Sequence, residues 1–342
     1  MPAEQIENRP LTELPPAGIQ AAVKAAHEMR APLMVWGPPG VGKSQIVAQA
    51  AHDLGVTLND VRLSTMDAVD LRGLPVPAGD VTRWLAPNWL PTGGDGVLFL
   101  DELPAAPMDV QVAAFQLILD RRLGDYQLPD GWTCIGAGNR ASDRAGAKRI
   151  STALSNRFLH LDFVVSATQW SRWALGAGLP FELAAFIGWK PSYLHDFTPG
   201  QDDREFATPR TWEMVGRVQA QGLSDKLTLA LMSGAVGQDK AVEYVNFLRI
   251  FSKLPNPDVV LASPNADQIP DDPSAQYALS SAIAQKATVN NIDRVCRYSD
   301  LLPADLKVFT LMSAVQHNSA LQSCAAVARH FAENATLYGF ED

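Results

Sequence analysis

The sequence predicts an α/β fold: a parallel five-stranded sheet with helices on both faces, followed by an α-helical lid domain. Three observations lead to this prediction. Short apolar runs alternate with helix-like segments between residues 30 and 165, as in parallel sheets whose faces are covered. A glycine-rich loop separates the first apolar run from the next helix. Beyond residue 166, amphipathic segments punctuated by proline or glycine replace the strand signals.

The elements follow in order along the chain. Continuous apolar runs such as Leu33-Met34-Val35-Trp36 are typical of parallel strands buried on both faces. The predicted strands lie at 33–36, 57–64, 97–100, 133–137 and 158–163. Helical spacing predicts the intervening helices, including one after residue 43 and one over 110–119.

Length and composition narrow the class of protein. A chain of 342 residues favours two or three domains, and 47% hydrophobic residues suffice for sizeable cores. The net charge of −9 argues against a surface built to neutralise nucleic-acid phosphates. Cys134, Cys296 and Cys324 lack metal-ligand spacing. No apolar stretch is long enough to span a bilayer and no signal-peptide core is present, so we expect a soluble cytoplasmic protein.

The loop after the first strand fits the phosphate-binding pattern G-x-x-x-x-G-K-[ST]. Its residues are Gly37, Pro38, Pro39, Gly40, Val41, Gly42, Lys43 and Ser44. Glycines let the backbone N–H groups converge on an anion at a helix N-terminus. Lys43 would reach the β- and γ-phosphates of ATP, and the Ser44 hydroxyl would bind Mg²⁺. The alternative is an ordinary Gly/Pro turn before a helix.

Two carboxylates follow the third predicted strand. Asp101 and Glu102 directly succeed Val97-Leu98-Phe99-Leu100, which places them at the carboxyl edge of the sheet, where α/β folds bind their ligands. Asp101 is predicted to share Mg²⁺ with Ser44, and Glu102 to polarise the attacking water. The alternative is a solvated strand end.

Three further polar residues stand apart in the sequence. Asn139 ends the fourth strand and could orient the water or contact the γ-phosphate, although a turn-forming asparagine has the same pattern. Arg157 lies in Asn156-Arg157-Phe158, and Arg210 in Thr208-Pro209-Arg210. Each arginine alone could equally be a surface ion-pair partner.

In this order, the motifs resemble those of the AAA+ ATPases over roughly residues 30–220. The Pro-Pro-Gly phosphate loop, the elaborated segment 65–93 and Thr208-Pro209-Arg210 look like the MoxR group. The resemblance implies a P-loop AAA+ fold, an ATPase (ATP + H₂O to ADP + phosphate), a homo-oligomeric ring, expected to be a hexamer, and a partner with a von Willebrand factor A domain. It makes Asn139 the sensor-1 residue, Arg157 the finger that reaches a neighbour's nucleotide, and Arg210 the sensor-2 residue.

The sequence departs from the group at one place. Many members follow sensor 1 with proline, whereas Arg140 follows Asn139 here. Arg140, Arg144 or Arg149 could therefore share or take the role assigned to Arg157.

These motifs predict a domain organisation. Residues 1–165 form a nucleotide-binding α/β domain with a loop or hairpin insertion at 65–93, and 166–254 form the helical lid. Residues 255–273, rich in proline, are predicted as a linker or long loop, and 274–342 as a C-terminal helical extension.

The leading functional hypothesis is a ring-forming, ATP-hydrolysing remodelling chaperone that acts on a protein partner or client. The alternatives are a nucleotide-gated assembly scaffold, an activase of a metabolic enzyme, and a nucleic-acid motor or loader, which the acidic composition disfavours. Trp84 and Trp89 either grip a client or pack inside the insertion. His160 is predicted as a solvated or packing histidine.

Overall fold

The structure is a computed structural model that describes residues 10–140, 143, 155–198 and 204–334. Strands of the described residues, in chain order, are β1 (Glu13–Leu14), β2 (Leu33–Trp36), β3 (Thr57–Arg62), β4 (Leu74–Ala78), β5 (Val81–Leu85), β6 (Asp95–Asp101), β7 (Arg122–Leu123), β8 (Tyr126–Gln127), β9 (Gly131–Gly138) and β10 (Leu159–Phe163).

Helices of the same residues lie mainly in the second half of the chain. They are α1 (Pro16–Glu28), α2 (Lys43–Leu54), α3 (Ala68–Arg72), α4 (Met108–Asp120), α5 (Ala167–Gly176), α6 (Phe181–Trp189), α7 (Pro209–Gln219), α8 (Asp225–Val236), α9 (Gln238–Phe251), α10 (Pro257–Ala262), α11 (Pro273–Gln285), α12 (Ile292–Asp300), α13 (Ala304–His317) and α14 (Ala325–Glu333). None of these described helices is long and apolar enough to cross a bilayer.

The central sheet is parallel throughout, in the order β1-β10-β2-β9-β6-β3. The predicted parallel α/β architecture is confirmed, but the predicted number of five strands is wrong. Within the described residues the sheet has a sixth strand, β1, whose Glu13 and Leu14 pair with Asp162 and Phe163. A strand of two residues is too short to show any periodicity, so no strand signal is present there.

Helices cover both faces of this sheet. Val97 and Phe99 of β6 pack with α1 and α2, whereas Leu98 and Leu100 pack with α4 on the opposite face. All four side chains are fully buried. Burial on both faces explains why the strand is a continuous apolar run rather than an alternating one, and it fixes Asp101 at the edge where the run ends.

The insertion between β3 and β6 contains α3 and the antiparallel hairpin β4–β5. The side chain of Trp89 is partly buried against the sheet core, and its Nε1 donates to the carbonyl oxygen of Asp70 at 3.0 Å. Trp84 is 39% exposed, and its backbone N–H donates to Asp125 between β7 and β8 at 3.0 Å. Trp89 is therefore a packing residue, while Trp84 lies where the two hairpins meet.

The region after β10 contains two helical cores. Helices α5 to α9 enclose a cluster of large aromatic side chains that includes Phe186, Trp212 and Tyr244. A second cluster around Leu279 and Tyr298 lies among α10 to α14. Helix α11 joins the two, because it packs against α6 and α9 on one side and α13 on the other. The predicted helical character after the sheet is confirmed.

The segment 255–273 differs from its predicted form as a linker or long loop. It contains α10 and a 3₁₀ turn at Ala266–Gln268, and it buries Val260 and Leu261 in the second helical core. Two of its five prolines start helices instead of breaking them: Pro257 and Pro273 occupy the first turns of α10 and α11, where a missing N–H costs nothing.

Candidate functional site

The phosphate-loop residues lie between β2 and α2 at the carboxyl edge of the sheet. Gly40 and Gly42 have φ of 75° and 98°, in the left-handed region that favours glycine. Gly42 is also the N-cap of α2 and has no side chain to occupy the helix N-terminus. The first N–H groups of α2 are therefore available to an anion, which the helix dipole also favours.

Lys43 is held by three acceptors around this loop. Its Nζ donates to the carbonyl oxygens of Gly37 and Pro38 at 2.7 and 3.0 Å, and to Oδ1 of Asn139 at 2.9 Å. Burial lowers the pKa of the Lys43 ammonium to about 8, although the carboxylates of Asp101 and Asp143 oppose the shift. The structure thus brings Lys43 and Asn139, which are far apart in the sequence, into direct contact.

We expect ATP affinity to fall as the pH rises from about 7 to about 9, because the ammonium of Lys43 has a pKa of about 8. Above that pH the free site holds a neutral amine, and a triphosphate, which favours the ammonium, must bind together with a proton. A phosphate's own last ionisation is near pH 6, so the ligand's charge stays constant over this range. Calorimetric titrations in buffers of different ionisation enthalpy would measure the proton uptake. Equal affinity at both pH values without uptake would contradict the expectation.

Ser44 and Asp101 form the second part of the site. The Ser44 hydroxyl donates to Oδ2 of Asp101 at 3.1 Å, and Asp101 is 6% exposed. Its other oxygen accepts the backbone N–H of Glu102 at 2.9 Å, which fixes the carboxylate plane. A hydroxyl and a carboxylate beside a phosphate loop are suitable oxygen ligands for Mg²⁺. These two residues fit the predicted metal role.

Glu102 follows in a strained backbone conformation. Its φ of 56° is unusual for a residue with a side chain and turns the chain sharply after β6. Its carboxylate accepts a hydrogen bond from the Ser64 hydroxyl and lies 3.7 Å from Nε of Arg62. With 43% of the side chain exposed, it is accessible to water and next to the phosphate loop, as a general base requires.

Sequence reasoning missed four residues around this site. Arg62 is the last residue of β3 and is in register with Asp101, and Ser64 lies in the 3₁₀ turn Leu63–Thr65 that follows, so only the strand order reveals them. Asp143 is 6% exposed and raises the pKa of Lys43. His195 follows the 3₁₀ turn Pro191–Leu194, and burial lowers the pKa of its ring. The signal for Asp143 was its proximity to Asn139 in sequence, whereas none pointed to His195.

Arg140 is engaged within its own chain. Its backbone N–H donates to Asp143 at 2.8 Å, and its guanidinium lies 3.5 Å from Asp143 and 3.4 Å from Asp162. The same aspartate thus binds both the main chain and the side chain of this residue. Arg144 and Arg149 lie outside the described residues.

Arg157 has the opposite environment. It lies in a turn in which the N–H of Phe158 donates to the carbonyl oxygen of Ser155 at 3.3 Å. Its side chain is exposed and, within the residues the structure describes, forms neither a hydrogen bond nor an ion pair. Among the described residues, no hydrogen bond or ion pair joins the Arg157 side chain to the phosphate loop of its own chain.

Arg210 reaches the phosphate loop through its backbone. It lies in the first turn of α7, which Thr208 caps by accepting the N–H of Thr211 at 3.2 Å. The N–H of Arg210 donates to the carbonyl oxygen of Gly40 at 3.2 Å. A Cβ on Gly40 would lie 2.7 Å from the Thr208 hydroxyl, so only glycine permits this approach. The first turn of the helical region therefore rests directly on the phosphate loop.

A phosphate loop at the carboxyl edge of a covered parallel sheet, followed by a helical region that contacts it, defines the P-loop AAA+ fold. The predicted fold class is confirmed. Residues 32–158 match the family model described as AAA domain (dynein-related subfamily). This match spans β2 to the turn that carries Arg157, and thus includes the phosphate loop, Asp101, Glu102 and Asn139.

Known proteins show further similarity. Midasin of Giardia intestinalis is 31% identical over 171 residues, which make up 47% of this chain but 4% of midasin. The chain thus spans only a small part of the length of that relative. A RuvB P216G mutant of Thermotoga maritima is 16% identical, with 92% of this chain and 85% of that chain covered and a TM-score of 0.42. NtrX from Brucella abortus in complex with ADP is 12% identical, with 93% and 67% covered and a TM-score of 0.35.

Proposed function

We propose that this chain is an ATP-hydrolysing AAA+ remodelling chaperone of MoxR type, which acts in the cytoplasm as a ring of six subunits. One observation carries the proposal. Two hydrogen-bonded pairs, Lys43 with Asn139 and Ser44 with Asp101, lie at one sheet edge, and Glu102 lies beside them. The match of residues 32–158 to an AAA domain supports the AAA+ part of this assignment.

Each residue of the site has a distinct task in this proposal. The N–H groups of the loop and the ammonium of Lys43 bind the phosphates of ATP, and Asn139 holds Lys43 in place. Ser44 and Asp101 hold Mg²⁺, which neutralises charge on the phosphate oxygens. Glu102 accepts a proton from the attacking water. Its position at a sharp backbone turn holds the carboxylate at the sheet edge instead of letting it follow the strand.

The contact between Gly40 and Arg210 couples the nucleotide to the lid. Because the phosphate loop and the first turn of α7 share a backbone hydrogen bond, a change in the loop is transmitted to the lid helices. The charge of the Arg210 side chain lowers the pKa of Lys43, which supports the assignment of Arg210 as the sensor-2 residue that responds to the phosphates. ATP would thus bridge the α/β domain and the lid, and hydrolysis would release them.

The environments of the arginines favour Arg157 as the residue that acts in a neighbouring subunit. Arg140 is paired with Asp143 and Asp162, whereas Arg157 is exposed at a turn. A guanidinium supplied in trans requires an assembly in which each subunit completes the site of the next. The protein partner in this proposal is a protein with a von Willebrand factor A domain.

Nucleotide binding by the purified chain tests the proposal first. Lys43→Ala is expected to weaken ATP binding by roughly 10- to 150-fold, because a charged hydrogen-bonding group contributes about 1.5–3 kcal/mol. The matched control is Lys24→Ala, since Lys24 pairs with Asp53 on the surface away from the loop. Titration with a fluorescent ATP analogue measures both affinities. Equal binding by the Lys43→Ala variant and the parent would refute the proposed phosphate site.

A further inference from the structure

The turn that presents Arg157 is held at its base by a single carbonyl group. The carbonyl oxygen of Ser155 accepts the N–H of Phe158 at 3.3 Å, which closes the turn around Asn156 and Arg157. The same oxygen lies 2.7 Å from Nε2 of His160, which is also 3.3 Å from the Ser155 hydroxyl. Phe158 is buried in the sheet core and contacts the ring of His160 edge-on. His160 therefore contacts both ends of the turn.

The other nitrogen of this ring is equally engaged. Nε1 of Trp36 donates to Nδ1 of His160 at 2.8 Å, and the two rings are stacked with their centroids 6.0 Å apart. An indole N–H can only donate, so Nδ1 must be the acceptor and the ring proton must be on Nε2. That proton is the one donated to Ser155. Trp36 thus selects the tautomer of His160 that can hold the turn.

His160 contacts two segments that serve different nucleotide sites in the proposed assembly. Trp36 is the last residue of β2 and directly precedes Gly37 of the phosphate loop. His160 lies in β10, which pairs with β2 in parallel. The contacts from Trp36 through His160 to Ser155 therefore connect the strand that leads into one nucleotide site with the turn that would serve the neighbouring site.

We propose that His160 is a positioning residue that fixes the turn carrying Arg157 relative to the phosphate loop of its own subunit. The proposal rests on the function proposed above, in which Arg157 acts in trans. The sequence predicts His160 as a solvated or packing histidine. The structure differs from this prediction, because both ring nitrogens of His160 have hydrogen-bond partners. A packing role would need only the bulk of the His160 ring, whereas a positioning role needs one ring nitrogen as acceptor and the other as donor.

Variants that retain bulk but lose polarity separate these roles. His160→Phe is expected to lower kcat for ATP hydrolysis by about 10- to 100-fold with little change in KM, because a small displacement of a catalytic group has that cost. Trp36→Phe, which removes the indole N–H together with part of the ring, is expected to act in the same direction. His160→Gln supplies an amide oxygen and an amide N–H and should restore most of the turnover. His52→Phe is the control, since the His52 side chain is 88% exposed.

A double-mutant cycle and hydrogen exchange complete the test. If His160 acts only through Arg157, His160→Phe/Arg157→Ala should turn over within about twofold of Arg157→Ala alone. Amide exchange in the peptide that contains residues 155–161 should be faster in His160→Phe than in the parent. Parent-like kcat in His160→Phe, additive effects in the double variant, or unchanged exchange in this peptide would each overturn the inference. An Arg157→Ala variant with parent-like turnover would instead refute the proposed trans role, while the exchange result would still decide the role of His160.

Discussion

Replacing Arg157 by alanine is expected to lower ATP turnover by about 10³-fold or more while leaving ATP affinity nearly unchanged. The transition state of phosphoryl transfer spreads negative charge over the γ-phosphate oxygens, and a guanidinium supplied by a neighbouring subunit stabilises it. Arg157 is exposed on a turn braced by the buried Phe158, so its loss removes a charge without opening a cavity. Steady-state hydrolysis and equilibrium nucleotide binding of the same variant measure the two quantities.

Mixed assemblies show whether Arg157 acts in trans. An Arg157→Ala subunit keeps its own phosphate loop, whereas a Lys43→Ala subunit keeps Arg157 but binds ATP weakly. At an ATP concentration too low for the Lys43→Ala subunit to bind, each is expected to be nearly inactive alone, and mixing them should restore turnover because the second supplies the missing guanidinium to the first. Mixtures that remain as inactive as their components would contradict delivery in trans.

Two arginine controls sharpen this result. Arg249→Ala, on the exposed face of α9, should behave like the parent. Any defect of Arg140→Ala should not be rescued by mixing, because Arg140 pairs with Asp143 and Asp162 of its own chain. If mixing restored the turnover of Arg140→Ala and not that of Arg157→Ala, Arg140 would be the residue that acts in trans.

The part of the site that could be predicted is the part that is local in sequence. Eight contiguous residues determine the phosphate loop, and the burial of β6 on both faces places Asp101 and Glu102 at the sheet edge. The same locality explains the correct positions of five strands of the central sheet, which are β2, β3, β6, β9 and β10. Strands β2 and β6 contain continuous apolar runs and β10 alternates apolar with polar residues, and such patterns can be recognised without knowledge of the neighbouring strands.

The missed features depend on which elements become neighbours. Arg62 is next to Asp101 because β3 pairs with β6, and His160 meets Trp36 because β10 lies beside β2. No local pattern encodes strand order. The segment 255–273 differs from the predicted linker because that prediction treats each proline as a break, whereas the apolar Val260 and Leu261 are covered by the helices around them. Proline marks a boundary in sequence but does not say whether a helix ends or begins there.

Glu102→Gln is expected to lower ATP turnover by about 10²- to 10⁴-fold while ATP still binds, since this is the usual contribution of a positioned general base. Glutamine has the shape of glutamate and can still accept the hydrogen bond from Ser64, so the local structure should persist. It cannot take a proton from water. Single-turnover hydrolysis and a fluorescent nucleotide titration distinguish loss of chemistry from loss of binding.

The matched control is Glu28→Gln, which makes the same chemical change on the exposed end of α1. It should leave turnover unchanged.

The Glu102→Gln variant should also remain bound to ATP for longer than the parent, because the step that releases the lid from the phosphate loop no longer occurs. A Glu102→Gln variant that hydrolyses ATP at the parent rate would show that another group activates the water. In that case the contacts of Glu102 with Ser64 and Arg62 would have a structural role at the end of β3.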